Sequence, residues 1–118
     1  MKARDDEFRG ALRNLFDAAG ARRSVAMRDA VRLAISVLAA PRAVALRDTP
    51  GPTVDDAQQV TLMQFFADKA LARLEISTAP QLIRTIFRRR VKDQRRGAWR
   101  YVYSVLQGED PTDGVSGA

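Results

Sequence analysis

A chain of 118 residues, 46% hydrophobic and 29% charged, carries one modest core, which excludes a disordered or fibrous class and leaves little room for a second domain. Lys and Arg outnumber Asp and Glu by 20 to 14, a formal charge of +6 that favours a polyanionic partner while also serving solubility. Neither Cys nor His occurs, so disulfides, thiolate zinc sites, imidazole bases and Ser-His or Cys-His nucleophiles are excluded, and a binding protein without cofactor or metal is expected, not an enzyme.

The N-terminus, Met1 to Glu7, is charged and leads into no apolar run. No stretch approaches the roughly 18 apolar residues of a membrane span, so a cytoplasmic protein without a membrane partner is expected. A first helix is predicted from Asp5 or Asp6, with Phe8, Leu12, Leu15, Phe16 and Ala19 at helical spacing and Gly20 ending it. Ser24 then caps a second helix whose Met27, Val31, Ala34, Ile35 and Leu38 recur at three and four, with Pro41 closing it and one more turn at Arg42 to Leu46. Asp48-Thr49-Pro50-Gly51-Pro52 reads as a loop and as the clearest internal boundary.

Thr53 with Asp56 makes a near capping box for a third helix running to about Leu74, its buried stripe being Leu62, Phe65, Phe66, the Lys69 stem, Ala70 and Leu74. Thr78 as cap, Pro80 in the first turn and Gln81 completing the box open a fourth. Its Leu82, Ile83, Ile86, Phe87 and Val91 form one apolar face, and Gly97 permits a break before Trp99, Val102, Tyr103 and Leu106 resume the pattern. The sum is an all-α bundle of about four helices forming a single domain over residues 1–107, with a fraying polar tail at 108–118 and no internal repeat.

Eight cations, Arg84, Arg88, Arg89, Arg90, Lys92, Arg95, Arg96 and Arg100, lie within seventeen residues of the last helix against the single Asp93. With the apolar face turned to the core, helical geometry places Arg84, Arg88, Lys92, Arg95 and Arg96 on the solvated side. Like charges at three- and four-residue spacing repel by a few tenths of a kcal/mol per pair, and phosphates relieve that repulsion while releasing condensed counterions. A solvated helix face usually mixes signs, and this one does not. Trp99, Tyr101 and Tyr103 follow directly; such aromatics stack on unpaired bases or, as is commoner at helical spacing, fill a core. Asp55 and Asp56 read as caps and i,i+4 partners and make no metal or acid–base pair.

The string Asp56-Ala57-Gln58-Gln59-Val60-Thr61-Leu62-Met63-Gln64-Phe65-Phe66 resembles the Asp-x-x-Gln-Glu-Thr-Phe-x-x-x-Trp pattern in region 2 of bacterial RNA polymerase sigma factors, especially the short extracytoplasmic-function group. In the next helix, Leu82 to Arg96 is similar to the family's Trp-Leu-x-x-Ile-Ala-Arg-Asn-x-x-x-Asp-x-x-Arg pattern, in the same order and at the same distance. Residues 54 to 96 carry the match, and the two earlier helices correspond loosely to the hairpin that precedes the polymerase-binding helix. The resemblance implies a sigma region 2-like fold and a role in transcription initiation. One helix packs on the coiled-coil clamp of the largest polymerase subunit, and the next captures promoter DNA where the duplex opens. Carried over by position, the resemblance implies that Asp56, Gln59 and Leu62 contact RNA polymerase and that Arg88, Arg89, Arg95 and Arg96 meet promoter DNA; Arg84, Lys92 and Trp99 join the expected DNA-binding set through the basic stripe and the neighbouring aromatics. Val60 stands where the family has Glu, Leu82 where it has Trp, and Arg89 where it has Asn. The family's promoter-distal helix-turn-helix domain has no counterpart after Leu106, which leaves a piece of a longer factor and a stand-alone relative both open. A regulatory protein such as an anti-sigma factor is a further partner the resemblance admits.

Two other readings fit the same residues. In one, a sigma-like helical adaptor or regulator binds a protein, its basic face meeting an acidic surface. In the other, the basic helix binds nucleic acid without regard to sequence.

Overall fold

A computed structural model describes the backbone of residues 2–106 and the side chains of residues 3–97. Within them lie six α-helices and no strand: α1 (Lys2–Asp17), α2 (Ala21–Val37), α3 (Ala39–Ala45), α4 (Gly51–Phe65), α5 (Asp68–Ala72) and α6 (Ala79–Leu106), with a 3-10 turn at Ile76–Thr78 leading into α6. The all-α expectation holds; the count of four becomes six because two of the expected blocks are split. Trp99, Tyr101 and Tyr103 have side chains outside the described residues, as do the whole of residues 107–118.

Helices α1 and α2 form a hairpin, α4 packs along α6, and α6 touches α1, α2 and α3 as well. Phe8, Leu12 and Leu15 of α1 meet Ala30, Ala34 and Val37 of α2, the two alanines allowing the axes to approach closely. Val54, Ala57 and Phe65 of α4 and Ala79, Ile83, Phe87 and Val91 of α6 complete the same core. Phe8 and Phe65 stand 5.7 Å apart between ring centres, so the hairpin and the C-terminal helices share one aromatic contact. Thr61 is buried within this apolar wall and satisfies its hydroxyl by donating to the Ala57 carbonyl at 2.7 Å.

Several helix boundaries differ from expectation, and each difference has a local cause. Helix α1 starts at Lys2 and stops at Asp17, and Gly20 (φ 61°, ψ −136°) belongs instead to the turn that opens α2. Helix α2 therefore begins at Ala21, and Ser24 lies inside it rather than capping it. Pro41 does not close α2; it sits buried in the first turn of α3, where its missing N–H has no partner to lose. Pro50 (φ −58°, ψ 145°) precedes α4 and Pro52 falls in its first turn, so Thr53 is already helical and no capping box forms with Asp56. Thr78 likewise turns its hydroxyl back to the Glu75 carbonyl at 3.3 Å instead of forward into α6, while Pro80 does fall in the first turn.

The third expected helix does not run to Leu74. It ends at Phe65, and an extended Ala67 (φ −64°, ψ 144°) separates it from α5. On one straight helix Phe65 and Leu71 would point about 120° apart. Both are core residues, at 2% and 5% exposure, so the bend is what brings Leu71 back inward. Lys69, expected along the buried stripe, is exposed. Conversely, α6 runs unbroken through Gly97, because the roughly 1 kcal/mol cost of one glycine does not interrupt a helix of 28 residues.

Gly20 is the described residue whose backbone demands glycine. Gly20→Ala is expected to destabilise the chain by about 1–3 kcal/mol although the added methyl group meets no atom within 4 Å, because the cost lies in the backbone conformation. Chemical denaturation of the variant measures it; a neutral substitution would show that the α1–α2 turn relaxes freely.

Candidate nucleic-acid interface

Helix α6 advances about 100° per residue, so Ile83, Phe87 and Val91, at four-residue intervals, pin one narrow face to the core. The cations then sort by their angle from that face. Arg84 and Arg95 flank it on one side, Arg90 on the other, and Arg88, Arg89, Lys92 and Arg96 point outward.

Each flanking cation has a partner. Arg84 does not join the solvated stripe: its guanidinium grips Asp5 of α1 through both carboxylate oxygens, Nη1 donating at 3.2 Å and Nη2 at 2.5 Å. The two side chains are only 20% and 15% exposed, which makes the pair a bridge between α1 and α6. It also gives Asp5 a role other than starting a helix. Arg95 lies 3.5 Å from Asp48 in the α3–α4 connection. Arg90 donates from Nε to Gln64 Oε1 of α4 at 3.0 Å and from Nη1 to Asp93 at 3.0 Å.

The outward cations differ. Arg88, Arg89, Lys92 and Arg96 are exposed, and among the described residues no carboxylate lies within ion-pair distance of any of them. Together with Thr85 and Asp93 they line one shallow concavity on the surface of α6. Two turns of helix thus present four positive charges at the spacing of a ridge, open to solvent and close enough to repel. Trp99, expected beside this stripe, lies on α6, its side chain outside the described residues.

Helix α4 turns Val54, Ala57, Thr61 and Phe65 inward. Asp56 and Gln59 therefore stand on the opposite, exposed side, where they form one ridge. Leu62 does not stand with them; it is half-buried and packs against the core. The apolar member of the ridge is Met63, 68% exposed and one turn beyond Gln59. Sequence reasoning missed it, although the i, i+3, i+7 spacing of Asp56, Gln59 and Met63 marks one face. Asp55 and Gln58 point elsewhere and both bind Arg42, fixing α3 to α4. No group of three or more potential metal ligands occurs among the described residues, and no helix there is long and apolar enough to cross a membrane. The arrangement offers charge, hydrogen-bond donors and one exposed thioether, which are the means of recognition.

No protein-family model, curated protein or solved structure matches the chain.

Proposed function

We propose that the chain is a sigma region 2-like domain for transcription initiation, docking on RNA polymerase through the Asp56–Gln59–Met63 ridge of α4 and holding promoter DNA on the outward face of α6. The observation that carries this reading is the sorting of cations along α6. Those beside the core are neutralised within the fold, and the four that face solvent are left for an external polyanion. Phosphate contacts of this kind fix register and contribute most of the affinity, while sequence is read by side chains that reach the bases. Arg89 stands where the resemblance places a base-reading Asn. The mechanism is non-covalent and requires no cofactor.

Co-purification with core RNA polymerase tests the first half. Asp56→Ala combined with Gln59→Ala is expected to weaken capture by core enzyme while leaving the melting temperature within a few degrees of the parent, because both side chains are exposed and neither bonds to the fold. If the double variant unfolds, the two residues are structural and the ridge is misassigned. A second reading, a sigma-like adaptor for another protein, is favoured by the exposure of Met63, since an uncovered thioether suits an adaptable protein contact. Absence of core polymerase from the pull-down, with the ridge intact, selects that reading.

A further inference from the structure

The acid among the cations of α6 has an unexpected partner. Asp93 lies four residues after Arg89 and three before Arg96, spacings at which helical side chains reach one another, and it borders the same concavity as both. Yet its ion pair is with Arg90, which faces away from that concavity toward α4. The reason is geometric. Gln64 of α4 accepts from the Arg90 Nε at 3.0 Å, and with that edge held, the rigid guanidinium fork presents Nη1 to Asp93, again at 3.0 Å. Arg89 and Arg96 have no such anchor.

We propose that Arg90 is a positioning residue for the basic face: held by Gln64, it draws Asp93 aside and keeps that carboxylate from neutralising Arg89 and Arg96, which stay open to phosphates. This rests on the reading of the outward cations as phosphate ligands, and it assigns Arg90 a role without direct contact with the polyanion. Loss of Arg90 releases Asp93 into the concavity. An internal carboxylate then occupies a cation that a phosphate would otherwise hold, at the expense of one contact.

The test is a double-mutant cycle on the full chain with Arg90→Ala, Asp93→Asn and the two combined, binding measured to a single-stranded DNA oligonucleotide with core polymerase present and, separately, to heparin. Arg90→Ala is expected to lower affinity several-fold and to flatten the dependence of log affinity on log salt by about 0.7–0.9, the equivalent of one contact. Asp93→Asn raises affinity, and in that background Arg90→Ala has no further effect. Arg90→Lys keeps the charge but lacks the fork that spans Gln64 and Asp93, so it shows the same loss; it also guards against Arg90→Ala failing to fold. An equal loss from Arg90→Ala in both backgrounds, or full affinity in Arg90→Lys, makes Arg90 a direct ligand and overturns the proposal. So does an unchanged affinity of Arg90→Ala in the parent background. If heparin binding follows the cycle and DNA binding is absent, the positioning role stands and the promoter reading falls. Absence of binding to both polyanions overturns the two together.

Discussion

Phe87→Ala is expected to cost about 3–5 kcal/mol of folding stability. The ring is fully buried in the face that α6 turns to the core, between Ile83 and Val91 on its own helix. Because α6 touches α1, α2, α3 and α4, a cavity at this position loosens the element on which the other helices converge. A domain of this size has about 5–15 kcal/mol in total, so the loss is a large share. Leu82→Ala is the paired measurement. Leu82 is 42% exposed, and its truncation is expected to cost less than about 1 kcal/mol. Urea denaturation of both variants decides the matter; similar costs would mean that the core lies elsewhere on α6 than the burial of these residues indicates.

That contrast marks how far the residues alone could be read. Periodicity located Phe8, Leu12, Leu15, Phe65, Ile83, Phe87 and Val91 correctly, since apolar side chains at three- and four-residue spacing must share a face. It also admitted Leu82, because a window of neighbouring apolar residues widens the face beyond what the partner helices cover. The bend at Phe66–Ala67 carries no Pro or Gly signal; it follows from the need to bury both Phe65 and Leu71, a tertiary demand that local pattern does not contain. Proline marks helix boundaries here, but Pro41, expected to close α2, opens α3, and Pro52, expected in the loop before the third helix, already lies in the first turn of α4. At the candidate site, the charge density of α6 was legible, and which cations are free was not. Arg84 is withdrawn by Asp5, 79 residues away, and no spacing rule reaches that far. Met63 was overlooked for the opposite reason, its apolar side chain standing on a face that polar neighbours had already defined.

The largest functional effect is expected from the outward cations. If Arg88 and Arg96 meet phosphates, changing both to Gln should flatten the dependence of log affinity on log salt by about 1.4–1.8 units, each contact contributing roughly 0.7–0.9 according to whether the strands are apart or paired. The measurement is a salt titration of melted promoter DNA binding with core polymerase present. Both residues are exposed and bond to nothing else among the described residues, so melting temperature should hardly move. The loss should be uniform across DNA sequences, because phosphates carry no sequence information, whereas Arg89→Ala should alter preference among sequences if it reads a base. Arg84→Gln supplies the opposite pattern. Its partner Asp5 is only 15% exposed, so the variant is expected to lose about 1.5–3 kcal/mol of stability, as for other hydrogen bonds to charged groups, with the salt slope of the folded protein unchanged. A slope unaltered by Arg88→Gln with Arg96→Gln removes DNA from the reading of α6. A slope flattened by Arg84→Gln by one contact, about 0.7–0.9, would instead mean that the α1–α6 bridge opens when DNA binds and that Arg84 joins the four outward cations on the phosphates; the Asp48→Asn variant, which frees Arg95 alone, tests whether that second bridge competes with DNA as well.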